Sequence, residues 1–195
     1  MGNAAAAEAP RMRADAARNR ERILAAARKL MAEHGAGTEM VDIAREAGVG
    51  VGTLYRRFPD KEALITELVR EKFIGLRELM QAQIARRDVS ARERLDSYIR
   101  EACAVQGRDK GLYEAMSVAS AAHAETARTT EGLIESLDQL VAEAIEEGNV
   151  RADLQWEDVV MCTCALGSVA QIEDDLPGTL ERLVEIQLDG LDPRG

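Results

Sequence analysis

The sequence predicts an all-α fold, and three observations carry that prediction. Only 3% of the 195 residues are aromatic and four are proline, while alanine and glutamate are abundant. That mixture suits helices and leaves a β-sandwich or an aromatic base-stacking platform short of side chains. Apolar residues, 46% of the chain, recur at helical spacing through most of its length. Most of these runs are bounded by a glycine or a capping residue. The length and apolar content are enough for one or two domains with a real core and exclude wholesale disorder.

In chain order, residues 1–14, alanine-rich and containing Pro10, read as a mobile tail outside the fold. From Asp15 a first helix places Ile23, Leu24, Ala27, Leu30 and Met31 on one face, and Gly35 and Gly37 end it. Thr38 is the expected N-cap of a short second helix with Met40, Ile43, Ala44 and Ala47 inward, stopped by Gly48. A third runs from about Val51 to Arg57, with Val49 and Leu54 facing in. Pro59 breaks the chain and Asp60 caps a long fourth helix, where Glu62 suits the positive N-terminal end; Leu64, Leu68, Ile74, Leu76, Leu79 and Ile84 line it and Gly75 interrupts it. Ser90 and Glu93 form a capping box for a fifth helix ending near Gly107. A sixth is expected over roughly Asp109 to Ala122 and a seventh over about Glu125 to Glu147, ended by Gly148. An eighth carries Trp156, Val159, Val160, Met161, Leu166 and Val169. A ninth opens near Pro177 and carries Leu180, Leu183, Val184, Ile186, Leu188 and Leu191. The reading is about nine helices, with no repeat of fixed period.

The formal charge is −10, which by itself argues against a phosphate-bearing partner. The average hides two unlike regions. Residues 1–61 hold 11 basic against 8 acidic residues, a net of +3, and residues 62–195 hold 14 against 27, a net of −13. Arg56, Arg57 and Lys61 cluster at the end of the third helix, and Arg11, Arg13, Arg18, Arg20 and Arg22 precede or open the first.

Short second and third helices joined by a tight glycine turn have the build of a helix-turn-helix, in which the first helix of the pair crosses the DNA backbone and the second enters the major groove. Ala44 is small where the helices cross, Gly48 supplies the turn with positive φ, and Val49 and Leu54 hold the second helix against the first. The run Asp42 to Leu64, DIAREAGVGVGTLYRRFPDKEAL, resembles the signature of TetR-family transcriptional regulators, in which GTLYxxFxxKxxL covers the recognition helix and the start of the fourth helix.

The resemblance implies an N-terminal helix-turn-helix domain over residues 16–76, with the motif at 39–58, and an effector-binding and dimerisation domain over 77–195. It implies that Gly52 and Thr53 allow close approach to the duplex, that Tyr55 and Lys61, and Thr38 at its helix start, contact phosphates, and that Val51, Arg56 and Arg57 face base edges or nearby phosphates. Phe58 would pack inside. Val41 and Gly50 depart from the family pattern, where a polar or basic residue and a serine are common, so the operator sequence is not predicted.

One recognition helix reads only ~3–4 base pairs, and a two-fold dimer doubles the address. The eighth and ninth helices are the expected homodimer surface, with Gly167 and Ser168 permitting close approach. The resemblance also implies a small-molecule pocket among helices four to eight. Candidate lining residues are Met80, Tyr98, Cys103, Tyr113, Met116, His123 and Trp156, although residue by residue ordinary packing is the favoured reading. With no basic cluster among them, an apolar or weakly polar effector is expected.

Cys162 and Cys164, at i and i+2 on a helix, face different ways and cannot chelate one ion as a pair. Neither a metal nor a cofactor is therefore expected. No nucleophile–base pair, phosphate loop or metal-ligand set is legible, so an enzyme is not expected. The longest uncharged run, Val159 to Ile172, has 14 residues, short of the ~20 of a membrane helix. No apolar signal core precedes Arg11, Ala6 breaks a myristoylation match, and three cysteines make no disulfide framework. The expectation is a cytoplasmic, ligand-responsive repressor that binds a near-palindromic operator as a dimer. The alternative is a DNA-binding protein without effector, acting through protein contacts of its acidic C-terminal region.

Overall fold

The computed structural model describes residues 4–108, 112, 120–169 and 178–193. Among the described residues there are eight α-helices and one 3₁₀ turn, and no strand. In order they are α1 (Ala4–His34), the 3₁₀ turn (Gly35–Gly37), α2 (Met40–Glu46), α3 (Val51–Arg57), α4 (Lys61–Ala85), α5 (Ala91–Arg108), α6 (Ser120–Glu146), α7 (Trp156–Val169) and α8 (Thr179–Asp189). The helix expected over 109–122 falls largely outside the described residues, so the expected seventh, eighth and ninth helices are α6, α7 and α8. Helical backbone starts at Ala4, within the segment read as tail. Gly75 does not interrupt α4, which is continuous from Lys61 to Ala85. One glycine costs ~1 kcal/mol in a helix, less than the packing of a long apolar stripe returns.

The chain forms two compact units, with α4 divided between Leu68 and Val69 and the start of α6, Ser120 to Ala122, grouped with the first. In the first, Ile23, Leu24, Ala27 and Met31 of α1, Ile43 and Ala44 of α2, Leu54 of α3 and Leu64 and Leu68 of α4 are buried. The spacing 23, 24, 27, 31 is one face of a helix, which is why α1 buries it. Asp60 caps α4 as its position predicts, its Oδ1 accepting the Ala63 N–H at 2.7 Å.

The second unit has its own core, in which Leu76 and Met80 of α4, Leu95, Tyr98, Ile99 and Cys103 of α5, Leu137, Leu140 and Val141 of α6, Val159 of α7 and Val184 and Leu188 of α8 form one cluster. The capping box is present. The Ser90 N–H donates to Glu93 Oε2 at 3.1 Å and the Glu93 N–H to Ser90 Oγ at 3.2 Å, which holds the Glu93 carboxyl below its usual range. Gly148, at φ 70°, ends α6 in a Schellman turn, with the Asn149 N–H on the Ala144 carbonyl at 3.1 Å and the Gly148 N–H on Ile145 at 2.9 Å. A Cβ on Gly167 would stand 2.5 Å from Gln106 Cβ, so this glycine serves the crossing of α5 with α7 inside the chain. That corrects the expectation that it serves an approach between chains.

Candidate nucleic-acid interface

The turn between α2 and α3 sets the geometry of the site. Gly48 has φ 60°, a conformation open to glycine at no steric cost. The Val49 N–H bonds the Ala44 carbonyl at 3.0 Å and the Gly48 N–H bonds Arg45 at 3.1 Å, so α2 ends in a Schellman motif with Gly48 at its left-handed position. Arg22 of α1 donates from Nη2 to the Gly48 carbonyl at 3.0 Å and ties the turn to the first helix. Leu54 and Phe58, buried at 0% and 5% exposure, anchor α3 from beneath.

With that face fixed inward, the helical period turns the rest of α3 outward. Val51, Gly52, Tyr55, Arg56 and Arg57 are exposed and Thr53 is half-buried. Arg56 and Arg57 lie in the last turn of α3, where the helix dipole favours cations. Lys61 opens α4 and is half-buried. A Cβ on Gly52 would meet nothing within 4 Å, and its φ is not positive, so the fold gives no reason for a bare backbone there. Of the residues expected at the DNA, α3 and the start of α4 supply seven in a continuous stretch of chain, Val51 to Lys61.

Thr38 does not join them. It is 4% exposed, and its Oγ1 lies 3.0 Å from the carbonyl oxygens of both Leu30 and Gly35, so its hydroxyl braces the end of α1. The N-cap position of α2 is Glu39, whose side chain makes no capping bond. The expected cap and phosphate contact at Thr38 is therefore corrected: the one hydroxyl proton is committed internally. Three arginines of α1 are likewise engaged with the protein. Arg18 pairs with Asp15, Arg20 pairs with Glu67 of α4, and Arg22 holds the turn.

In the second unit, the expected pocket residues Met80, Tyr98 and Cys103 belong to the core cluster at 5% exposure or less, with Trp156 packed against it. Burial pushes the Cys103 thiol up to about 11, outweighing a hydrogen bond with Thr163 that acts to lower it. Tyr113, Met116 and the side chain of His123 lie outside the described residues. Four polar residues that the sequence did not single out are buried here: Lys72, whose ammonium donates to Gln106, Gln83, Arg94, whose Nη2 donates to Glu143 at 2.7 Å, and Thr163, whose Oγ1 donates to the Val159 carbonyl at 2.7 Å. Lys72 is one turn from Leu68 and Leu76, and Arg94 one turn from Ala91 and Tyr98, so helical spacing alone places both on buried faces. Among the described residues no group of three or more His, Cys, Asp or Glu side chains is arranged to hold a metal. No described helix is long and apolar enough to cross a membrane. Met161 of α7 and Ile186 of α8 are 67% and 59% exposed.

Residues 23–68 match the family described as "Bacterial regulatory proteins, tetR family", and residues 90–193 match "Transcriptional regulator SbtR-like, C-terminal domain". A TetR transcription regulatory protein of Mycobacterium vanbaalenii is 30% identical, with 93% of this chain and 99% of that one aligned at a TM-score of 0.67. A TetR regulator of Streptomyces coelicolor is 29% identical over 90% of this chain and 99% of its own, also at 0.67. The fold is shared with the regulator FadR of Bacillus subtilis in complex with stearoyl-CoA, 21% identical over 88% and 98% of the two chains, with a TM-score of 0.67. An HTH-type transcriptional regulator of Staphylococcus aureus is 52% identical over 54 residues, a match spanning 27% of this chain and 29% of that relative.

Proposed function

The chain belongs to the TetR family of bacterial transcriptional regulators, helix-turn-helix DNA-binding proteins rather than enzymes, and from that premise we propose that it is a ligand-responsive repressor. It binds a near-palindromic operator as a homodimer, and a small molecule in the second unit releases it. The observation that carries this reading is the outward face of α3. There Val51, Gly52, Thr53, Tyr55, Arg56 and Arg57, followed by Lys61, form one surface in the least acidic part of the chain. Tyr55, Lys61 and the arginines contact phosphates or base edges, and Gly52 lets the backbone approach.

Dimerisation through α7 and α8 is supported by Met161 and Ile186, large apolar side chains left in solvent on those two helices. Release is assigned to α4, a single helix that begins with Lys61 at the DNA-facing end and continues to Ala85 in the second unit. An effector that binds differently to two positions of α4 alters operator affinity. Allosteric couplings of ~1–3 kcal/mol correspond to ~5–150-fold. An apolar or weakly polar effector is proposed; the stearoyl-CoA of the FadR neighbour shares a long acyl chain with that class but not its anionic CoA end. The partner being chromosomal DNA, the protein works in the cytoplasm.

A second reading has its own support. Met80, Tyr98 and Cys103 are packed as core, which suits a second unit that binds no effector and acts through protein contacts of its acidic surface. The test is operator affinity across a panel of small molecules, with the mass of the complex followed in parallel. A compound that lowers affinity while the dimer persists supports the effector reading. A panel of diverse apolar ligands without effect, on a dimer that binds operator, refutes it in favour of the second.

A further inference from the structure

The exposed large apolar side chains described in the first unit are Val41, Val51 and Tyr55, at 44%, 39% and 44%, and all three lie in the helix-turn-helix. An exposed valine on its own is ordinary. These two are placed in a particular way. Val51 opens α3 between Gly50 and Gly52. A Cβ on Gly52 would meet nothing within 4 Å, and one on Gly50 would meet only Thr53 Oγ1 at 3.8 Å. Val51 is therefore exposed between two residues without side chains, with Tyr55 one turn along the helix and Arg56 and Arg57 beyond. Val41, the second residue of α2, is also exposed in the first turn of its helix. A valine neither donates nor accepts a hydrogen bond, so it adds nothing to phosphate binding and cannot read the polar edges of a base pair. As a β-branched residue it is also a mediocre choice for a solvent-facing helical position.

In the major groove of DNA one base-edge group is apolar, the 5-methyl of thymine. Building on the DNA-reading proposal above, we propose that Val51, and Val41 at the groove-side end of the helix that crosses the backbone, read thymine 5-methyl groups, so that each operator half-site carries thymine where these two side chains meet the bases. The surrounding arginines and Lys61 hold the duplex at contact distance, and the two valines gain by excluding water from a methyl group that has no better partner.

The test uses the operator recovered by selecting random duplexes with the full-length protein. Each thymine is replaced, symmetrically in both half-sites, by deoxyuridine, which lacks only the methyl group. Loss of a methyl contact worth about 0.8 kcal/mol is about fourfold per half-site and about sixteenfold for the symmetric operator. Two thymine positions are expected to show this loss. Val51→Ser abolishes the thymine-over-uracil preference at one of them and Val41→Ser at the other. Both residues are exposed, so the variants unfold at the wild-type temperature. In a further arm, the sensitive T·A pair is replaced by C·G and by 5-methylcytosine·G. Partial recovery with the methylated base assigns the preference to the methyl group rather than to thymine O4. Indifference of every position to deoxyuridine, serine variants that keep the preference, or no gain from 5-methylcytosine each overturns the proposal while leaving the DNA-reading assignment intact. Failure to select any duplex overturns both.

Discussion

Gly52→Ala separates the needs of the fold from the needs of the DNA. Position 52 is in the first turn of α3, its backbone is not left-handed, and an added methyl group would touch nothing in the protein within 4 Å. Alanine in place of glycine in a helix contributes about 0.5–1 kcal/mol, from higher helix propensity and a less disordered unfolded chain. At ~2–4 °C per kcal/mol for a chain of this size, the variant should melt about 1–4 °C above the parent. On the DNA the sign reverses. If α3 seats in the major groove with its first turn against the duplex, the new methyl group has to be accommodated in a closely packed contact. Overpacking costs about 1–3 kcal/mol, or ~5–150-fold in affinity at each half-site. The assay is thermal unfolding beside fluorescence anisotropy on a labelled operator, at one salt concentration because phosphate binding is salt-dependent. A more stable protein that binds DNA less tightly is the expected pair of results. A more stable protein with unchanged affinity would refute the close approach at Gly52, and a destabilised one would refute the open environment on which the argument rests.

Other perturbations follow from the same structure. Tyr55→Ala and Lys61→Ala should weaken binding to all duplex sequences alike, with Lys61→Ala lowering the salt slope by about 1, as seen in titrations against operator and random DNA. Thr38→Val removes the hydroxyl that bonds Leu30 and Gly35, and should cost about 1–2 kcal/mol in denaturant melts while the folded protein keeps its DNA affinity. Met161→Glu combined with Ile186→Glu should shift the protein to monomer in sedimentation analysis, and operator affinity should fall with it. Glu143 accepts from Arg94 at 2.7 Å, which holds its carboxyl below the usual range. A group with a lowered folded pKa contributes stability that is full above the ordinary glutamate value of ~4.3 and is lost as pH falls through the folded value. Stability measured from pH 6 down should show that loss, and Glu143→Gln should remove this contribution. It should also cost about 2–3 kcal/mol at neutral pH, less than the ~3–5 of a fully buried pair because Glu143 keeps 24% of its side chain in solvent.

What the sequence made legible were features governed by neighbours in the chain. The positive φ of Gly48, the Asp60 cap, the Ser90–Glu93 box, the inward Leu54 and the span of α3 all follow from rules reaching four residues or fewer, and the structure bears out each of these. Thr38 was misread because its hydroxyl has two candidate uses. A helix start offers a local one, and the carbonyl of Leu30, eight residues away, takes it instead. Lys72 and Arg94 were missed because their chemistry suggests surface, although helical spacing put them on buried faces; Gln106 and Glu143 hold them there from distant parts of the chain. Gly167 has a partner 61 residues away, Gln106, that no local pattern reveals. At the candidate site, the exposed residues of α3 were legible because α3 has one buried face and the motif fixes which face that is. The clamp of Arg22 on the turn was not, since nothing near Arg22 in the chain points to Gly48.

The central claim is that two copies of α3, related by a dimer axis, read DNA. Selection of random duplexes by the purified protein, with the enriched pool sequenced, tests it most directly. The account predicts an inverted repeat whose half-sites are centred about one helical turn, ~34–36 Å, or a multiple of it apart. A pool without enrichment, or one enriched for a single site lacking the repeat, would contradict it.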